Sequence, residues 1–284
     1  MKKIFFLLAI LFLASSFQEK KTSWVAIGDS ITYLNDHADE TGNRVGKGYM
    51  TRVVEKLPRM SYSNQGHNGW TAIRIATEIE KLGIQKADVY TVFLGTNDWW
   101  AGKPLGVLDD YENNTGVNTV FGAFRVIINK LRSLNPEAGI VLITPMQRVD
   151  FVYINNPKNN AYGSYKEKNG QWLEQFADAV VSIGKREKLP VVDLYQNNKM
   201  DLKKLVAYKH LKDPKTAGIY RNYQYPDFID IPFNPETDEY PYPVDAAGVT
   251  YDGLHPSDKG NKIIADLLVK ILKQYQDYRV ALFQ

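Results

Sequence analysis

The stretch "VAIGDSITY", residues 25–33, decides how the chain begins to fold. Val25, Ala26 and Ile27 are apolar, Gly28-Asp29-Ser30 interrupts them, and apolar residues resume at Ile31. A continuously apolar run suits a parallel strand covered on both faces. Ser and Asp directly after it are preferred helix caps. The stretch therefore reads as strand, tight turn and helix start. Ser30 has two readings here: a capping hydroxyl, or a nucleophile held at the edge of a sheet. Three letters do not separate them.

Further along, "SWVAIG" (23–28), "MSYSN" (60–64), "DVYTVFLG" (88–95), "GIVLIT" (139–144) and "LPVVDLY" (189–195) read as strands. Helical patterns fall between and after them, at about 47–57, 71–82, 117–134, 164–188 and 257–276. In the last, Ser257 is a candidate cap, and Ile263, Ile264, Leu267, Leu268, Ile271 and Leu272 form one apolar stripe. Alternation of this kind predicts an α/β fold with about five parallel strands and helices on both faces. Residues 196–254 hold no long element and are rich in Pro and Tyr. So long an irregular stretch in a compact domain predicts a functional loop or lid. No composition break divides the chain, so a single domain over 21–284 is expected, with the aromatic-rich loop at about 196–251.

"MKKIFFLLAILFLASS" opens the chain: two lysines, an apolar run from Ile4 to Ala14, then small residues. The run is too short to span a bilayer, so residues 1–20 read as a signal peptide, with an uncleaved anchor as the alternative. Export to a bacterial periplasm or medium follows as an expectation, without stable membrane insertion after cleavage. The 284 residues contain no cysteine, which excludes disulfides and thiolate chemistry. A net charge of +3 gives no reason to expect a nucleic-acid partner.

In an open α/β sheet, ligands bind beyond the carboxyl ends of the strands. After the first strand stands Gly28-Asp29-Ser30; after the second, "NQGHNGWT" (64–71); after the third, "GTND" (95–98), followed by Trp99 and Trp100. Before the last helix stands "DGLHP" (252–256). A serine becomes nucleophilic when an imidazole takes its proton. Asp252 and His255, three residues apart, can set the carboxylate on Nδ1 and leave Nε2 for Ser30. The amides of Ser30 and Gly69 and the side chain of Asn97 would serve a developing oxyanion. Each residue also has a plainer reading. Gly66 fits a tight turn, Asn97 an Asx turn, His67 a local turn role, and Asp252 and His255 loop hydrogen bonds. No second ligand stands at metal spacing, so no metal is expected.

The four ordered blocks "IGDSIT", "NQGHNGWT", "GTND" and "DGLHP" resemble those of the SGNH (GDSL-type) hydrolases. They span residues 27–256. The resemblance implies a flavodoxin-like three-layer α/β/α fold and hydrolysis of esters or thioesters without a cofactor. Carried over position by position, Ser30 matches the nucleophile, His255 the base, Asp252 the acid, and Gly69 and Asn97 the oxyanion-hole residues. Asp29, Trp99, Trp100 and Tyr251 are candidate substrate contacts, with one of the paired Trp expected in the core and the other in the cleft. The Tyr-rich stretch from Tyr220 to Tyr251 divides between packing and substrate platform. The expected partner is a small-molecule or glycan ester, with removal of O-acetyl groups from carbohydrate favoured. The alternatives are a lipase or thioesterase on longer acyl chains and, in another class, a catalytically silent carbohydrate-binding protein.

Overall fold

The computed structural model describes residues 21–281, so the expected leader at 1–20 lies outside the described residues. In chain order, β1 (Thr22–Gly28) leads into α1 (Ser30–Tyr33), α2 (Tyr49–Lys56), β2 (Met60–Gly66), α3 (Ala72–Glu78) and β3 (Val89–Phe93). Next come α4 (Thr96–Trp100), α5 (Leu108–Glu112), α6 (Val120–Leu134), β4 (Gly139–Ile143), β5 (Phe151–Val152) and β6 (Asn160–Ala161). The chain continues through α7 (Leu173–Glu187), β7 (Val191–Val192), α8 (Leu202–Leu205), β8 (Lys209–Lys212), β9 (Tyr220–Tyr223) and α9 (Asp258–Ala281).

Five parallel strands pair in the order β2-β1-β3-β4-β7. β1 thus has β2 on one side and β3 on the other, and the winding reverses there. The crevice at such a switch point is where doubly wound sheets bind ligands. Gly28 stands opposite Gly66 in β2 and Phe93 in β3. The three strands end level, and the segments that follow them emerge side by side.

Alternation along each strand sorts its side chains between two cores. Val25, Ile27, Tyr90, Val92, Ile140 and Leu142 pack with α3, α6 and α7. Trp24, Ala26, Val89, Phe93, Val141 and Ile143 pack with α2 and α9. Each fully buried large apolar side chain contributes about 1.5–3 kcal/mol relative to exposure. These two cores give the sheet and its two helical layers their rigidity. The result is the α/β/α sandwich that the sequence pattern implies.

The differences from the sequence pattern have local causes. The helix expected from residue 164 starts only at Leu173. Gln171 is held before it, accepting from the Leu105 amide at 2.8 Å and donating to the Lys103 carbonyl at 3.0 Å. The aromatic-rich segment contains the antiparallel hairpin β8–β9, which the sequence did not reveal. Its inward positions are Lys209 and Leu211, both buried. Lys209 reads as polar but is paired with Asp150 at 2.6 Å, so the alternation is hidden.

Gly66 ends β2 where α1 crosses it. A Cβ there would lie 2.1 Å from the Tyr33 backbone nitrogen. Gly66→Ala is therefore expected to lower the unfolding free energy by about 1–3 kcal/mol through overpacking. Urea denaturation reads this as a lower midpoint at unchanged slope. An unchanged midpoint would show that α1 does not press on β2.

Candidate active site

Ser30 is the first residue of α1, one position past the cap. The Asp29 carboxylate accepts the Ile31 amide at 3.0 Å, so Asp29 does the capping and the Ser30 hydroxyl is left to point away. The Ser30 Oγ lies 2.9 Å from Nε2 of His255. Nδ1 of the same ring lies 2.7 Å from Asp252 Oδ2. A carboxylate only accepts, so Nδ1 carries the ring proton and Nε2 is free to accept from the Ser30 hydroxyl.

The Asp252–His255 turn is locked from several directions. Asp252 is fully buried. Its Oδ1 accepts the amides of Leu254 at 3.0 Å and His255 at 2.7 Å. The His255 ring lies nearly parallel to Tyr251 and meets Phe151 edge-on, with centroids 5.3 Å apart in the second pair. β5 and the segment before it are tied to the turn as well: Val149 donates to Gly253 O at 3.0 Å, and Val152 to Asp252 O at 3.2 Å. This imidazole has little freedom to turn away.

Across the crevice stand Gly69 and Asn97. Gly69 has a φ of +72°, a conformation that side chains disfavour. Among the described residues, neither its amide nor that of Ser30 donates to an acceptor. Asn97 donates through Nδ2 to Trp70 O at 3.1 Å, which fixes the amide plane and leaves its second N–H. Asp98 binds the two blocks together. It is fully buried and accepts the amides of Ala72 at 2.7 Å and Ile73 at 3.3 Å at the start of α3. Burial pushes its carboxyl up to about 6, against the pull of those amides; burial does the same to Asp29.

A cavity of about 350 Å³ opens over these groups. Ser30, His255, Gly69 and Asn97 line one end of it, with Trp100, Arg148, Phe151, Tyr153 and Asn159 around the rest. Three expected substrate contacts need correcting. Asp29 is buried beneath α1 as its cap, Trp99 is wholly buried in the core, and Tyr251 is buried behind His255. Trp100 does line the cavity. No residue from 220 to 251 does; Tyr240 and Tyr242 instead donate to the carbonyls of Val152 and Asp150, bracing the cavity wall from outside. That wall, residues 148–161, is the part of the site that sequence reasoning missed. A second cavity of about 550 Å³ shares Trp100, Phe151 and Ala161 with the first but touches neither Ser30 nor His255.

A doubly wound sheet with Ser, His and Asp in one hydrogen-bonded line at its switch point has the form of a hydrolase site. The chain belongs to the GDSL-like lipase/acylhydrolase family, whose model matches residues 26–263. It is similar to a protein of Chitinophaga pinensis described as "a possible lipase": 64% identity, TM-score 0.88, covering 89% of this chain and 98% of that one. A protein from Lactobacillus plantarum shares the fold at 19% identity and TM-score 0.58, over 90% of this chain and 98% of that one. So does an acetylxylan esterase from Geobacillus stearothermophilus, at 19% identity and TM-score 0.50, over 88% and 93%. No curated protein matches the chain.

Burial of Asp98 has a measurable consequence. Its carboxyl stands near 6 when folded and near 4 when unfolded. Between those values the folded protein holds a proton that the unfolded chain has released, so this group's contribution to stability falls as pH rises from 4 to 6. Asp98→Asn has no such proton. The difference in unfolding free energy should therefore move in favour of the variant by about 3 kcal/mol across that window. A difference that does not change with pH would contradict a buried, ionising Asp98.

Proposed function

We propose that this acyl hydrolase is a serine esterase in which Ser30 attacks the ester carbonyl, with His255 as base and Asp252 orienting it. The observation that carries the reading is the continuous line of hydrogen bonds, 2.9 Å from Ser30 Oγ to His255 Nε2 and 2.7 Å from Nδ1 to Asp252. As the Ser30 oxygen bonds to carbon, its proton passes to Nε2, and the imidazolium formed lies against the Asp252 carboxylate. The carbonyl oxygen takes up negative charge. The vacant amides of Ser30 and Gly69 and the second N–H of Asn97 are the donors for it, each commonly worth about 3 kcal/mol. His255 then returns the proton to the leaving alkoxide, leaving an acyl group on Ser30. Water, activated by the same imidazole, releases it.

For substrate, we favour removal of acetyl groups from carbohydrate outside the cytoplasm. Three features support the carbohydrate part of this reading: a cavity of about 350 Å³, polar groups on its wall in Asn68, Asn159 and Glu40, and the Trp100 and Tyr153 rings. The similarity in fold to an acetylxylan esterase agrees with it. The second reading, a lipase or thioesterase on longer acyl chains, is favoured by the neighbouring cavity, whose walls include Ile229, Ile231 and Phe233.

Ser30→Ala and His255→Ala are each expected to lower kcat on p-nitrophenyl acetate by about 10⁴-fold or more, and Asn97→Ala by about 10²–10³-fold. Asp252→Ala should lose less, because Tyr251 and Phe151 still flank the imidazole. Full turnover by a folded Ser30→Ala protein would overturn the assignment. A series of p-nitrophenyl esters from acetate to octanoate separates the substrate readings: a maximum at acetate supports the first, a maximum at octanoate the second.

A further inference from the structure

Arg148 is 1% exposed, yet it lines the 350 Å³ cavity together with Ser30 and His255. Its guanidinium is poorly partnered for so buried a charge. Nη2 makes one long hydrogen bond, to Ala161 O at 3.4 Å, and Nε has no partner. The flanking contacts are the Trp99 and Trp100 rings, each 5.7 Å from the guanidinium carbon. A guanidinium carries five N–H donors, and leaving them unmet in a dry place is costly.

The nearby carboxylates do not explain it. Asp252 is taken up by the amides of Leu254 and His255 and by the His255 ring. Asp150 is taken up by the Gly163 amide at 2.7 Å, by the Tyr165 hydroxyl and by Lys209 at 2.6 Å. Both are close enough to favour the charged form of Arg148, and neither accepts from it. Burial outweighs both and pulls the guanidinium down to about 10, so its charge is only partly compensated while its donors stay vacant. Apart from His255, it is the one basic side chain lining this cavity among the described residues. Glu40, on another part of the wall, would repel an anion, so attraction is concentrated at Arg148.

We propose that Arg148 binds a carboxylate on the substrate, so that the enzyme prefers esters of acidic molecules, such as acetylated uronic-acid sugars, over their neutral counterparts. A planar guanidinium fork fits a carboxylate in two-point geometry, and the Trp99 and Trp100 rings flank it. The sugar part of this proposal rests on the carbohydrate reading above; the carboxylate part does not.

The test compares an O-acetylated methyl glucuronoside with its carboxamide. Wild-type kcat/KM should favour the acid about 10- to 100-fold, mainly through KM. In Arg148→Met the preference should vanish, the acid losing about 10- to 100-fold more kcat/KM than the amide, a split that a purely structural arginine would not give. Equal losses on both substrates in the variant, or no preference in wild type, would overturn the proposal. If neither sugar is deacetylated while p-nitrophenyl acetate is, the carbohydrate reading fails. Arg148 is then judged on 4-acetoxybenzoate against 4-acetoxybenzamide, normalised to their alkaline hydrolysis rates, with the same two outcomes. If the variant does not fold, wild-type inhibition by glucuronate against glucuronamide decides: tighter inhibition by the acid supports a bound carboxylate, and equal inhibition contradicts it.

Discussion

A hydrogen bond of 2.9 Å joins Ser30 to His255, two residues 225 positions apart, and the rest of the site depends on that closure. One end is set by β1, buried between two helical layers, which fixes where α1 begins. The other is set by a turn that has no regular structure of its own. It is held by Asp252 from within and by residues 149–152 from the side. Behind it, the Ser257 hydroxyl donates to Gly248 O at 2.7 Å at the entry to α9. The chain thus encloses most of its length between the hydroxyl and the imidazole, and the parallel sheet supplies the rigidity that makes a single contact reproducible.

The floor of the crevice carries an unusual density of buried polar groups. Asp29, Asp98, Arg148 and Asp252 are each no more than 2% exposed. Burying such groups opposes folding unless they are paired or hydrogen-bonded. Asp29 and Asp98 spend their oxygens on backbone amides at helix starts, and so hold the loops that carry Ser30, Gly69 and Asn97. Asp252 spends its oxygens on the turn that carries His255. Of these four, Arg148 alone lines the cavity, and its donors are largely unmet. Positioning thus comes from groups that the bulk of the two apolar cores must offset, which is common where a site is held ready before substrate arrives.

What could be read from the sequence, and what could not, follows from range. The strands around Val25, Val92 and Leu142 announce themselves because both faces of a parallel sheet are apolar. Ser30, Gly69, Asn97, Asp252 and His255 sit in short local blocks at the ends of such elements, and the structure brings four of them to one cavity, with Asp252 buried behind His255. Adjacency to a block does not reveal exposure, however. Asp29, Trp99 and Tyr251 neighbour the cavity residues in sequence yet are buried beneath them. The wall at 148–161 was illegible for another reason. Its strands are two residues long, and its order comes from distant partners such as Tyr240, Tyr242 and Lys209. In a sequence, Arg148 resembles any solvated surface charge.

Whether closure of Ser30 onto His255 activates the hydroxyl is tested most directly by reaction with a fluorophosphonate followed by peptide mapping. A single adduct on Ser30 is predicted for the wild-type protein, and none for folded His255→Ala. An adduct on another residue, or ester turnover by a protein whose Ser30 remains unmodified at full fluorophosphonate exposure, would contradict the assignment of Ser30 as the nucleophile.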